Sequence, residues 1–371
     1  MVASASNFAW ENPSTNVTAR FAYDYSFEDL AVLFAAWGFS PAQAARTFTG
    51  LHRRGISDYR SLAGTVPNQL IDKLEQESLP IDPVSSLETR PSADGATKFL
   101  FHLVRGGTVE GVLMPFGKRF TLCISSQVGC ALGCTFCATG TMGFRRHLSS
   151  GEMVAQVLHM RRLSGGFNGK AARLNVVFMG MGEPLHNLTN VMATFEILTH
   201  RHGMVLPDRD VAVSTSGLVS KIQEISSFNR RPQLMVSIAA TTDYRRSQLM
   251  PVNRRWPLES LLTCLESYPL RKRERIMLSY VVIAGVNDDA ENASRLAAMS
   301  KRFPSLINLI PMNPHETAPG MTEPGEVRLQ GFYETLMDHG AFVTIRRSRG
   351  RDVAGACGQL VQSLNPYQLE P

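Results

Sequence analysis

The sequence contains no apolar run approaching the ~18 residues that cross a bilayer, and its first residues lack the basic stretch and apolar core of a secretory leader. These absences lead us to expect a soluble, cytoplasmic protein with no membrane partner. Cysteine is scarce, with six in 371 residues, and four of the six fall between residues 122 and 143. That clustering argues against a secreted disulfide scaffold and suits a reducing compartment. No internal repeat or low-complexity tract occurs, so solenoid and linker-rich architectures drop out. Acidic residues are only modestly outnumbered: 38 Lys and Arg against 32 Asp and Glu leave a formal charge of +6, which permits an anionic partner without requiring one.

A hydrophobic content of 44% over this length is enough for one large catalytic domain and a smaller one. Residues 1–95 read as a small helical bundle. Ser40-Pro41-Ala42-Gln43 supplies an N-cap, a first-turn proline and a capping-box glutamine, and Gly55 stops that helix. Residues 27–37 are apolar at helical spacing, and 67–76 make a third helix. Residues 96–119 form a β-hairpin around Arg105-Gly106-Gly107, with strands expected over 98–104 and 109–114. Glu110 stands in the second of these, and for a strand glutamate the expectation is exposure.

From about residue 120 to 345, strands alternate with helices, at 121–125, 174–179, 210–215, 233–238, 276–283, 306–310 and 342–345. A helix between the first two starts at Ser149 with Glu152 as capping box and ends by Gly165-Gly166. The fold class is therefore α/β: a partial (β/α)6 barrel, open enough to admit a polymer at the strand C-termini. Residues 346–371 form a C-terminal segment. Paired arginines such as Arg145-Arg146, Arg245-Arg246 and Arg346-Arg347 are explained singly as solvated faces, or together as a phosphate-binding rim.

The chemistry concentrates in Cys130, Cys134 and Cys137, a Cys-x-x-x-Cys-x-x-Cys run that gathers three thiolates on one loop. Three ligands on a four-iron cluster leave one iron open for chemistry, whereas a structural zinc would take Cys123 as its fourth ligand. Glycines in Gly180-Met181-Gly182-Glu183-Pro184 let backbone approach a ligand at a strand end, and Ser214 closes the next strand with a hydroxyl. Cys264 sits on the apolar face of a helix and reads as core. Cys357, among small residues and close to arginines, reads as an accessible thiol.

The cysteine spacing resembles that of the radical S-adenosylmethionine superfamily. With Cys-Ile-Ser-Ser-Gln-Val-Gly-Cys ahead of it and Ala-Cys-Gly-Gln-Leu near the end, the chain resembles the RlmN/Cfr branch, radical methyltransferases of large-subunit ribosomal RNA. The likeness runs from about residue 27 to 360. It implies a radical SAM barrel with an RNA-binding helical accessory domain, one [4Fe-4S] cluster on Cys130, Cys134 and Cys137, and S-adenosylmethionine held around Gly182, Glu183, Ser214, Ser237, Ile238, Ala239 and Asn313. The family pattern Ser-Leu-His-Ala reads Ser237-Ile238-Ala239-Ala240 here, so Ala239 replaces a histidine.

The resemblance further implies that Cys357 carries the methyl group, that Cys123 resolves the protein–RNA adduct by forming a disulfide with Cys357, and that Glu110 accepts the proton. Expected partners are 23S rRNA, with tRNA as a second substrate, and an electron donor such as flavodoxin or ferredoxin; the chain is expected to be a monomer. Methylation at C2 of adenine is the reading favoured. The alternatives are C8 methylation of the Cfr type, a radical SAM enzyme for another substrate, and a non-catalytic zinc-bearing RNA-binding protein.

Overall fold

The computed structural model describes residues 20–164 and 173–361. The chain opens with three helices, α1 (Phe27–Ala36), α2 (Pro41–Phe48) and α3 (Asn68–Gln76). The first two start where the side chains dictate: Ser26 Oγ accepts from Asp29 N at 3.0 Å, and Pro41 fills the first turn of α2 behind a Ser40–Gln43 capping box. A further turn over Thr49–Arg54 ends at Gly55, whose φ of 64° takes the left-handed conformation that closes a helix. The bundle is welded to the β/α region, because Asp24 accepts from Gly151 N at 2.7 Å and pairs with Arg105 at 3.1 Å.

The helical stretch ends sooner than the sequence suggests. Residues Val84–Pro91 form strand β1, which pairs antiparallel with β2 (Thr97–Leu103), so the hairpin is extended by a strand. β3 (Thr108–Phe116) and β4 (Arg119–Ile124) continue the antiparallel order. β4 then begins a parallel run through β7 (Arg173–Phe178), β8 (Val211–Thr215), β9 (Gln233–Ser237), β10 (Ile276–Val282), β11 (Ser305–Pro311) and β12 (Val343–Ile345). A short hairpin, β5 (Gln127–Gly129) with β6 (Phe144–His147), brackets the cysteine loop and its one-turn helix α4 (Ala138–Thr141).

The parallel strands are linked by α5 (Ser150–Leu163), α6 (Leu188–Thr199), α7 (Val219–Ser226), the pair α8 (Asp243–Leu249) and α9 (Leu258–Glu266), α10 (Ala290–Ser300) and α11 (Glu326–Asp338). Among the described residues these give the six β/α units expected. The edge strands of the ten-stranded sheet are β1 and β12, so the barrel stays open. The expected stop at Gly165-Gly166 lies outside the described residues, although α5 itself ends at Leu163. No helix of the described residues is long and apolar enough to cross a membrane.

Candidate active site

The residues between β4 and the first cysteine build a support. Ser125 Oγ donates to the Glu110 carbonyl at 2.6 Å and accepts from Met181 N at 2.7 Å, and Gln127 Oε1 accepts from Glu183 N at 2.8 Å. These bonds hold the turn after β7 against the root of the cysteine loop. The turn needs its glycines: Gly182 has φ +98°, and a Cβ there would lie 2.5 Å from Gln127.

Cys130, Cys134 and Cys137 lie along one loop, pinned by Cys130 N to Gly143 O at 2.9 Å and Cys137 N to Cys134 O at 3.1 Å. Burial pushes these thiols up, reinforced by Cys134 at Cys130, by Cys137 at Cys134, which reaches about 12, and by Cys357 at Cys137. Three such sulfurs become favourable as thiolates when a cationic centre lies among them. Among the described residues no three Cys, His, Asp or Glu side chains are close enough to share a single metal ion. Cys123 stands on β4 beside Cys357, so the zinc alternative loses its fourth ligand. Three thiols on one loop are the donor chemistry that a multi-iron cluster takes.

Beside this loop a pocket opens at the C-terminal ends of the strands. Gly182, Glu183, Ser214, Ser237, Asn313 and Cys357 line it, with Cys134 and Cys137. Glu183 is buried and accepts from Leu185 N at 3.0 Å and Ser216 N at 2.8 Å; burial raises its pKa and the Ser216 amide opposes the rise. Asn313 donates to Ser348 Oγ and to the Cys357 carbonyl, both at 2.9 Å. Ile238 and Ala239 do not line the pocket. The pleat that turns Ser237 inward sends Ile238 into the core, and Ala239, at φ +56°, packs with Leu132, Met250 and Met312.

Sequence reasoning missed Arg246. Read as half of a surface pair, it is fully buried and donates to the carbonyls of Ser216, Ser237 and Ile238 and to Asn253 Oδ1, at 2.7 to 3.1 Å. It thereby ties the ends of β8 and β9 together beneath the pocket. Arg231 is likewise buried, and Arg146, Arg230 and Arg347 pair with Glu152, Asp208 and Glu326, so the members of these pairs differ widely in exposure.

Cys357 is half-buried on a loop that is tied down rather than loose. Ala138 N donates to the Gly358 carbonyl at 2.7 Å and Thr139 Oγ1 to the Leu360 carbonyl at 2.6 Å, so the C-terminal loop is stitched to the cysteine loop. A second, narrow pocket shares Met179, Ile310 and Cys357 with the first and is completed by Cys123, Val112, Met114 and Arg346. Burial and the neighbouring Cys357 push the Cys123 thiol up to about 12, and Arg346 opposes that rise. All six thiols are free, and Cys264 is buried as expected.

Glu110 departs from the expected exposure. It lies on the face of β3 that carries Val112 and Met114, is completely buried, and has Oε1 2.9 Å from Lys98 Nζ. Burial raises its carboxyl to about 7 against the pull of the Lys98 charge. Nothing in the local sequence announces this, because the partner comes from the neighbouring strand.

Residues 124–297 match the radical SAM superfamily. The chain is 39% identical to the dual-specificity RNA methyltransferase RlmN of Geotalea uraniireducens, covering 91% of this chain and 95% of that one. It is 37% identical to RlmN 1 of Myxococcus xanthus, over 92% and 94%. A solved radical SAM methyltransferase from Sphaerobacter thermophilus superposes with a TM-score of 0.86 at 38% identity, covering 92% of this chain and 99% of the other. With the open β/α barrel, the three-cysteine loop and this likeness over nearly its whole length, the chain belongs to the RlmN family of radical SAM RNA methyltransferases.

Proposed function

We propose that the chain methylates C2 of an adenine in 23S rRNA, and in tRNA, with the methyl group carried on Cys357. The observation that carries this reading is the position of Cys357, whose side chain borders both the pocket beside the cysteine loop and the pocket holding Cys123. The dual-specificity name of relatives about as similar as 39% supports both RNA substrates.

Cys130, Cys134 and Cys137 would hold a [4Fe-4S] cluster, and Gly182, Glu183, Ser214, Ser237 and Asn313 would surround S-adenosylmethionine. Bound there, and fed by a donor such as flavodoxin or ferredoxin, these groups supply the methyl carbon and the one-electron chemistry that an electron-poor adenine carbon requires. The protein orients the reaction and keeps water out. Cys357 becomes the bridge, its sulfur joined through one carbon to the base.

Release falls to three side chains. Glu110 takes the proton from the ring carbon. The Cys123 thiolate attacks the Cys357 sulfur; an S–S bond forms, the S–C bond breaks, and its electron pair passes to the bridging carbon, which takes up a proton and becomes the methyl group. Two thiols are oxidised to a disulfide as the bridging carbon is reduced. A reducing compartment restores them.

The test is anaerobic reconstitution with iron, sulfide and S-adenosylmethionine, then mass analysis of the Cys357 peptide and of digested RNA. We expect one methyl group on Cys357 and 2-methyladenosine in the RNA. A C8 product would move the chain to Cfr-type chemistry, and an unmethylated Cys357 in active enzyme would remove the carrier role.

A further inference from the structure

A row of side chains crosses the antiparallel part of the sheet. Val112 on β3 is opposite Lys98 on β2 and opposite Cys123 on β4, so the three share one face, and Glu110 lies two residues along that face. Lys98 is 1% exposed and Glu110 0%. The Lys98 ammonium lies 2.9 Å from Glu110 Oε1 and donates to the Ala354 carbonyl at 3.0 Å, three residues before Cys357. The same loop is fastened to the β1–β2 turn: Asp352 accepts from Ser92 Oγ at 2.5 Å and Ala93 N at 3.0 Å, and Gly350 N donates to Asp94 at 2.8 Å.

A buried ion pair is a poor source of stability, since apolar residues of similar volume serve the core as well or better. This one joins the strand that carries the proposed base to the loop that carries the bridging sulfur. We propose that Lys98 is a positioning residue of the release step: its ammonium keeps Glu110 as a carboxylate and fixes the Cys357 loop over it through the Ala354 carbonyl. The inference rests on the reading of Glu110 as the proton acceptor.

Burial alone favours the neutral acid at Glu110, and the charges that oppose it are Lys98 on β2 and, more weakly, Arg90 on β1. With Lys98 present, the carboxylate is available near neutral pH. The proton then passes from the adenine carbon to a Glu110 oxygen. Without the ammonium, Glu110 stays protonated to higher pH and the adduct persists.

The test uses the full reconstituted chain with its RNA and compares Lys98→Met and Lys98→Gln with the native protein and with Glu110→Gln. Read out are methylation of Cys357, the covalent protein–RNA adduct on denaturing gels, and the rate of adduct release from about pH 6 to about pH 9, a window that brackets a perturbed carboxyl. Both Lys98 variants should still methylate Cys357, release the adduct about tenfold more slowly near neutral pH, and regain rate as pH rises, the profile moving up by about one unit. Lys98→Gln keeps a hydrogen-bond donor without the charge, and so isolates the electrostatic part even if Lys98→Met folds poorly. Release at the native rate with an unshifted profile overturns the role of Lys98, as does loss of Cys357 methylation, which would mark a purely structural residue. If Glu110→Gln itself releases the adduct normally, the reading of Glu110 fails instead.

Discussion

The two pockets that meet at Cys357 are built by opposite means. The cofactor-side pocket collects strand ends: each of β7, β8, β9 and β11 delivers a short motif at its C-terminus, and Arg246 ties two of those ends together from below. The thiol-side pocket collects positions in mid-strand, brought side by side by the register of β3 and β4 and covered by a loop from the far end of the chain. Parallel β/α units place chemistry at their rims, whereas an antiparallel sheet places it on its face. The first arrangement suits holding a cofactor. The second brings Cys123 and Cys357 together from separate segments, with Glu110 buried on the same strand face.

The sharpest way to separate the pockets is at their shared residue. Cys357→Ala should abolish RNA methylation, by about a thousandfold or more, with no adduct formed, because no thiol remains to carry the carbon. Cys123→Ala should stop turnover as completely, yet leave Cys357 methylated and the adduct trapped. Denaturing gels and peptide mass distinguish the two. Turnover by Cys123→Ala at the native rate would remove that thiol from the release step.

Arg246 breaks the cofactor side alone. Its removal leaves three carbonyls and the Asn253 amide oxygen without their donor, and Arg246→Met should cost about 3 kcal/mol, lowering Tm by roughly 6–12 °C. S-adenosylmethionine binding should weaken in the same variant, while Arg246→Lys recovers part of both. A melting temperature unchanged in Arg246→Met would show that these bonds do not hold the strand ends.

The thiol side answers to pH instead. Glu110 has its carboxyl raised from 4.5 to about 7, so its protonated form is the one that folding favours. The stability it contributes is present below pH 4.5 and lost as pH rises through about 7, whereas release should speed up over the same rise as the carboxylate forms. Glu110→Gln should flatten the stability profile and trap the adduct at every pH. Chemical denaturation across pH and single-turnover release measure the two trends, which must run in opposite directions.

The same contrast decides what the sequence could disclose. The strand-end pocket is contiguous motif by motif, so Cys134, Cys137, Gly182, Glu183, Ser214, Ser237 and Asn313 could be read off the chain, as could Cys130 on the same loop and the six β/α units. Lys98, 12 residues before Glu110, is invisible as its partner, because only the hairpin register places Leu100 opposite Glu110 and Lys98 on the same diagonal. For the same reason Glu110 reads as a surface residue and Val84–Pro91 as the tail of a helical domain. Arg246 hides for another reason: an arginine pair has the same sequence whether both members face water or one is buried among carbonyls. Ala239 belongs beside the cofactor by its place in a motif, but the pleat of β9 and a left-handed turn send it the other way.

The smallest effect belongs to a region that touches neither pocket. A groove between the helical bundle and the barrel is lined by Arg46, Arg54, Arg201, His202 and Thr49, with no carboxylate among its described lining residues. Arg53 beside it donates to the Gly203 carbonyl at 3.1 Å and to the Arg201 carbonyl, so its guanidinium helps join the two parts. An RNA-binding accessory domain would use such a groove for backbone phosphates, which contribute affinity without reading sequence. Arg54→Ala should therefore weaken RNA binding only a few fold at moderate salt and lower the salt-dependence slope by about 0.7 to 0.9, the share of one phosphate contact. On the proposed carrier role, methylation of Cys357 should proceed at the native rate in this variant, because the groove lies apart from both pockets. An unchanged salt slope would place the RNA elsewhere on the surface, and a fall in Cys357 methylation would mean that the groove supports the fold of the barrel rather than the grip on its substrate.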